Sequence, residues 1–318
     1  MKPLFIFSLP RSGSTLLQRI LATSEKISTA AEPWVLLPYI YTLKSNGVLS
    51  EYWHSQTVMA IKDFYDGYAN GKKDYLDELR TFTLNLYKRR STPKSQYFLD
   101  KTPRYHLICD EIINMFPDGK FILLWRNPLA VASSILQHWC KGKWKIGRYN
   151  IDLFGGITNL LNTSSSNNSI IHTIKYEDLV QNPQIEINNI CDYISIDYND
   201  QMVNSFYDTD LLGRMGDKTG LNIYRNKVSK DSLNSWKNTY SNPYRRNWAI
   251  NYLTWIGQEN LRTMGYDYFQ LKSDVKTNKK ASIKSICLDI LYTIYYKSNI
   301  FLSPLKAHNN QNHRYLFM

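Results

Sequence analysis

Residues 8–15, Ser8-Leu-Pro-Arg-Ser-Gly-Ser-Thr15, carry more hydrogen-bond donors than a plain turn needs. They follow a short apolar run, Leu4–Leu9. They precede residues 14–24, where Leu16, Leu17, Ile20 and Leu21 share one helical face. A strand, a tight loop and a helix N-terminus make an anion site, because backbone N–H groups and the helix dipole converge there. Against the phosphate-loop pattern GxxxxGK[ST], the second glycine stands at Gly13 and the threonine at Thr15. Ser8 replaces the first glycine and Ser14 the lysine. The loop therefore lacks the cation that reaches β and γ phosphates. It can still cradle one anionic group, with the Arg11 guanidinium adding a fork of donors.

A second segment repeats the arrangement. Lys120–Trp125 is the clearest buried strand, followed by Arg126 and then Asn127-Pro128, an N-cap and a first-turn proline. Pro10-Arg-Ser-Gly-Ser-Thr-Leu-Leu17 resembles the 5′-phosphosulfate loop of sulfotransferases that use 3′-phosphoadenosine 5′-phosphosulfate. Arg126-Asn-Pro-Leu-Ala-Val-Ala-Ser-Ser134 resembles their 3′-phosphate motif. Asp100-Lys-Thr-Pro103 and Tyr176-Glu-Asp-Leu179 are further family-like segments. The similar branch holds tyrosylprotein, bacterial and carbohydrate sulfotransferases, and the likeness covers roughly residues 1–265.

The resemblance implies roles. Arg11, Ser12, Gly13, Ser14 and Thr15 would hold the 5′-phosphosulfate, and Arg126 and Ser134 the 3′-phosphate. Ser134 is preferred over Ser133 because the family serine stands eight positions after the arginine. Tyr176 resembles a family tyrosine near the nucleotide. Lys101, with help from Arg11 and Ser14, would neutralise charge on the departing phosphate. Fixed cations would stand in for a metal, so none is expected. An acceptor alcohol has a high pKa and needs a base. Glu32, 21 positions after Arg11, matches the glutamate base of the tyrosylprotein branch. His106 is the rival, since another branch uses histidine, and His138 is a further one. Gly216-Asp-Lys-Thr-Gly220 and Ser235-Trp236-Lys237 loosely resemble a segment that closes over the nucleotide, which makes Lys218, Tyr224 and Lys227 candidates.

These residues need a frame that brings them together. Further strand signals lie at Gln96–Leu99 and Ile170–Lys175, and helical ones at 34–91, 105–116, after Asn182-Pro183 and at 243–264. Thr163–Ser169 reads as a surface loop, and 213–240 as irregular. Strands alternating with helices imply a parallel, doubly wound α/β sheet with ligands beyond the strand C-termini. With the resemblance, the expected fold is a P-loop-like three-layer sandwich, a central parallel sheet flanked by helices. Residues 1–270 would form the sulfotransferase domain. Residues 271–318 would form a basic amphipathic extension, either packed on the domain or lying on a membrane surface.

Bulk properties agree with a folded enzyme. The 318 residues are 43% hydrophobic and 21% charged, which is not a disordered profile. The net charge of +12 suits an anionic partner. Nucleic acid is disfavoured, because no dense basic helix or zinc-finger spacing occurs. Four scattered cysteines, the lack of a signal peptide and no apolar run of membrane-spanning length lead to the expectation of a cytoplasmic protein, with membrane association left open. The acceptor is expected to be a saccharide or another small hydroxylated metabolite, with Tyr- and Trp-rich stretches at 34–91 and 140–165 shaping its pocket. The competing readings are a P-loop kinase-like phosphotransferase and a non-catalytic nucleotide-binding protein.

Overall fold

Leu4 and Ile6 belong to one buried apolar cluster, whereas Phe5 and Phe7 belong to another. This alternation is the two-residue period of a strand buried on both faces. The strand is β1 (Lys2–Ser8) in the computed structural model, which describes residues 1–209, 211, 213, 232–275 and 282–302. With β2 (Ile27–Thr29), β3 (Tyr97–Asp100), β4 (Lys120–Trp125) and β5 (Ile171–Lys175) it forms a five-stranded sheet in the order β2-β3-β1-β4-β5. Every pairing is parallel.

Helices cover both faces, so the fold is the expected α/β three-layer sandwich. On the Leu4–Ile6 face lie α1 (Ser14–Ala22), through Leu16, Leu17, Ile20 and Leu21, and α9 (Pro183–Ile194), through Ile187, Ile190 and Ile194. On the Phe5–Phe7 face lie α5 (Cys109–Met115), α6 (Pro128–His138) and α7 (Gly156–Ser166), through Ile112, Leu129, Ile135 and Leu160. Three more helices, α2 (Leu36–Tyr41), α3 (His54–Asp66) and α4 (Lys72–Arg90), fill the long insertion between β2 and β3. A short α8 (Tyr176–Gln181) follows β5 directly.

Some sequence expectations need correction. The strand β2 is absent from the sequence reading: it has three residues, of which only Ile27 is a buried hydrophobe, so no alternation can be seen. Thr163–Ser169 is not a surface loop at its start. The helix α7 runs to Ser166, and Thr163 is buried with its hydroxyl donating to Asp110 Oδ1 at 2.7 Å. The 105–116 helix divides into a 3₁₀ turn, Pro103–Leu107, and α5. The 243–264 helix breaks at Gly257, whose φ of 84° lies in the region that favours glycine. The N-cap expected at Asn127 is present: its Oδ1 accepts from Leu129 N at 3.0 Å. Lys218, Tyr224 and Lys227 lie outside the described residues.

Because the sheet is wholly parallel, the C-terminal ends of β1, β3, β4 and β5 share one edge. In chain order they deliver the 8–15 loop, Lys101, Arg126 and Tyr176 to that edge.

Candidate donor and transfer site

The loop after β1 is shaped by two residues of positive φ, Arg11 at 67° and Gly13 at 91°. Left-handed turns of this kind fold successive N–H groups inward, as an anion site requires. The first turn of α1 contains no acidic residue, and Gly13 precedes it without a side-chain cap. Ser12 and Ser14 are buried within the loop. Gly13 is constrained further. The Tyr176 ring lies against its α-carbon, so a β-carbon there would overlap the ring.

Tyr176 and Gly13 pack together beside two arginines. The Arg126 guanidinium stacks on the Tyr176 ring, 4.3 Å from its centre, and Nη1 donates to the Arg11 carbonyl oxygen at 2.7 Å. Arg11 reaches across the loop, its Nε donating to Ser134 Oγ at 3.2 Å. The two serines of α6 are therefore separated by direction. Ser134 faces the loop, whereas buried Ser133 pairs with Thr239 Oγ1 at 2.6 Å. Arg126 Nε is buried with no hydrogen-bond partner, and so is Ser8 Oγ. Buried polar atoms are usually satisfied, so these two are exceptions at the C-terminal edge of the sheet.

The turn that follows Arg126 is held by Glu177, whose role sequence reasoning missed. Glu177 Oε1 accepts from Asn127 N at 3.1 Å, and Oε2 accepts from Tyr266 OH at 2.7 Å. Burial and the nearby Glu177 charge push the Tyr266 phenol well above its ordinary pKa, so it remains a proton donor.

A second group sits at the end of β3. Lys101 is almost wholly buried, and its Nζ donates to Glu32 Oε1 at 2.9 Å and to Thr15 Oγ1 at 3.2 Å. Trp34 Nε1 donates to the other carboxylate oxygen, Glu32 Oε2, at 3.3 Å. Trp34 adopts φ of 58°, an uncommon conformation for a bulky residue and one that concentrates at functional sites. The Glu32 loop is tied down on both sides. Gln18 Nε2 donates to the Ala30 carbonyl at 2.8 Å, Trp34 N to Thr102 Oγ1 at 3.1 Å, and Leu36 N to Tyr105 OH at 3.3 Å.

Beneath this loop lies Asp100, completely buried. Its carboxylate accepts from Tyr87 OH at 2.6 Å and Tyr105 OH at 2.9 Å. Burial raises its pKa from 3.8 to about 6, against the lowering effect of these hydroxyls, Thr102 and the Lys101 charge. A raised carboxyl pKa means that the folded chain holds the proton over a range where the unfolded chain has lost it. Between pH 3.8 and about 6 this group therefore makes stability fall as pH rises. Relative to wild type, Asp100→Asn should gain stability across that window, by at most about 1.4 kcal/mol per pH unit. Parallel thermal-melt profiles for the two proteins would refute this.

His106 is placed apart from the Lys101–Glu32 group. It is sealed from solvent, with Nε2 3.0 Å from Asp152 Oδ1, and Asp152 also pairs with Arg104 at 2.7 Å. Its Nδ1 has no hydrogen-bond partner and lies beside Gly156. His138 is exposed at the end of α6. Among the described residues, no cluster of three or more His, Cys, Asp or Glu side chains is arranged to hold a metal ion.

The sulfotransferase family profile matches residues 3–200, more than half of the chain. The chain belongs to the sulfotransferase family. It is 30% identical to nodulation protein NoeE of Sinorhizobium fredii over 136 residues, which are 42% of this chain and 31% of that relative's length. The match thus spans about a third of NoeE. The sulfotransferase domain from the curacin biosynthetic pathway superimposes with a TM-score of 0.55 at 20% identity, over 84% of this chain and 98% of that domain. A mouse sulfotransferase, SULT7A1, complexed with PAP, superimposes with a TM-score of 0.50 at 14% identity, over 86% of this chain and 87% of its own. At these identities the two superpositions establish a shared fold.

A substitution at Gly13 tests whether the sulfotransferase's loop and Tyr176 act together. Gly13→Ala places a side chain in a left-handed conformation and against the Tyr176 ring. Affinity for adenosine 3′,5′-bisphosphate should fall about tenfold or more. Calorimetry reads this directly, and unchanged affinity would separate the loop from nucleotide binding.

Proposed function

We propose that this sulfotransferase moves a sulfo group from 3′-phosphoadenosine 5′-phosphosulfate to an acceptor hydroxyl, with Glu32 as the base. One observation carries the reading. A single buried ammonium, Lys101 Nζ, touches both the phosphate-type loop, at Thr15, and the carboxylate, at Glu32.

When bound, the donor supplies an electrophilic sulfur whose bond to the 5′-phosphate oxygen breaks as the acceptor oxygen bonds to sulfur. The 11–15 loop would hold the phosphosulfate end, with Arg11 and the backbone N–H groups as donors. Arg126 and Ser134 would hold the 3′-phosphate, Arg126 braced by the Tyr176 face and by Asn127–Glu177. Arg11 and Arg126 would give such a ligand one cation for each anionic end, and the mouse sulfotransferase of the same fold is complexed with PAP. Glu32 would take the acceptor proton on one carboxylate oxygen, its orientation fixed by Lys101 and Trp34. Lys101 would offset charge on the departing phosphate, the kind of fixed electrostatic help that dominates many enzymes. His106 is a weaker candidate because it is sealed from solvent, with Nε2 held by Asp152 and Nδ1 beside Gly156.

For the acceptor we favour a saccharide or another small hydroxylated metabolite. Part-exposed Trp34 beside Glu32 offers the flat apolar face on which a sugar ring can stack. A cytoplasmic setting is our reading of the cysteine pattern. The test is calorimetry with adenosine 3′,5′-bisphosphate and with ATP, followed by transfer from labelled donor to sugars, lipids and phenols. Micromolar bisphosphate binding with sulfation of one class is expected. No bisphosphate binding would end the reading. ATP-dependent phosphorylation would put a kinase in its place, and bisphosphate binding without any transfer would leave a nucleotide-binding protein.

A further inference from the structure

The helix Ile283–Leu302 is built inside out compared with an ordinary surface helix. Its inward side is held by polar and aromatic contacts. Asp289 accepts from Arg245 Nε at 2.7 Å, from Arg245 Nη2 at 2.9 Å and from Asn242 Nδ2 at 2.8 Å. Tyr244 OH donates to Thr293 Oγ1 at 2.8 Å, and the Tyr296 ring packs on Gly147. Lys145 Nζ sits 5.5 Å over the Tyr292 ring. The outward side is apolar: Leu288, Leu291, Ile294 and Tyr295 form a stripe at helical spacing, each 43–59% exposed, and Ile283 extends it at 80%. Surface helices ordinarily turn such residues inward, and a contiguous exposed apolar patch marks an interaction surface.

Charge selects the occupant. Asp289 is the only acid between 283 and 302, and Arg245 neutralises it. Lys284 and Lys297 are exposed on the same helix, and Lys276, Lys279 and Lys280 stand just before it in sequence. The whole chain carries +12. A second copy laid on this face would bring cations against cations. An anionic lipid surface accepts both features, acyl chains for the stripe and headgroups for the lysines. Among the described residues, no helix is long and apolar enough to cross a membrane, so such a helix would lie in the interface plane.

We infer that the outward face of Ile283–Leu302 is a docking surface for an anionic membrane, with the apolar stripe inserted at the headgroup boundary. The geometry keeps the helix anchored to the domain through Arg245–Asp289 while its lipid face stays available. The inference is independent of the catalytic reading, because it uses none of the donor-site residues.

The test is sedimentation of the full chain with vesicles of phosphatidylcholine alone and of phosphatidylcholine with phosphatidylglycerol. Sedimentation with the anionic vesicles only is expected, weakening as salt rises. Leu291→Glu with Ile294→Glu should lower vesicle affinity about tenfold or more, and Lys284→Glu with Lys297→Glu should lower it too. Calorimetry with adenosine 3′,5′-bisphosphate and a thermal melt check that each variant is folded. A folded wild type that ignores both vesicles overturns the inference, as does equal binding to neutral lipid or full binding by the Glu variants. So does a wild-type dimer in light scattering that Leu291→Glu/Ile294→Glu abolishes, which would assign the face to a second copy.

Discussion

Glu32→Gln is expected to lower turnover about 10²–10⁴-fold, the usual contribution of a positioned general base, while affinity for adenosine 3′,5′-bisphosphate stays close to wild type. The separation follows from the geometry. Glu32 is linked to the 11–15 loop through Lys101, whose Nζ also reaches Thr15 Oγ1. The substituted amide retains an oxygen that can accept from Lys101, so the fold around β3 keeps its contact. The capacity to take a proton is removed, together with the charge that pairs with Lys101 and one of the two oxygens that accept from Lys101 and Trp34, so a thermal melt accompanies the kinetics. Steady-state kinetics against acceptor, paired with calorimetry against the bisphosphate, checks both halves. If turnover survives, Glu32 is not the base and His106 inherits the role. If turnover and nucleotide affinity fall together, Glu32 serves the donor site and not the transfer step.

The parts legible in the sequence were those whose signal is local. The strands β1 and β4 are continuous apolar runs, and Asn127-Pro128 is a cap and first-turn pair, so each announces itself within a few residues. Gly13 stood out by its place in a phosphate-loop pattern. What was not legible depends on partners far away in the chain. Glu32 gains its position from Lys101, 69 residues on, and from Gln18 acting on Ala30. Glu177 matters because it accepts from Asn127, 50 residues earlier. Asp100 was quoted only as part of a motif, yet it is the acceptor on which Tyr87 and Tyr105 converge. A sequence shows that these residue types exist and not that the parallel sheet gathers them at one edge. The strained φ of Trp34 is also invisible, since nothing in Pro33-Trp34-Val35 announces a left-handed backbone. Ser133 and Ser134 mark the boundary between the two cases. They are adjacent and chemically identical, the family spacing favoured Ser134, and only helix phase reveals that Ser133 turns to Thr239 and Ser134 to Arg11.

Lys101→Met should reduce turnover about 10²–10³-fold, the range for removing one preorganised donor from a developing anion. The side chain is 1% exposed and reaches Glu32 and Thr15 together, so its loss touches the base and the loop at once. A structural ion pair would also be sensitive to this change, because deleting one member strands the other charge. The double variant Lys101→Met/Glu32→Gln separates the two cases. If the pair were only structural, removing both charges would restore much of the stability lost in Lys101→Met and the activity with it. If the pair acts in transfer, stability recovers but turnover stays as low as in the worse single variant, because residues that act as a unit are not additive. Thermal melts and single-turnover rates on the four proteins of the cycle decide this. Lys101→Arg gives a further check. A planar guanidinium keeps the charge but cannot occupy the compact position from which one ammonium serves both oxygens, so it should recover little activity. Full activity in Lys101→Arg would mean that charge alone suffices and that the bridge from Thr15 to Glu32 does not matter for transfer.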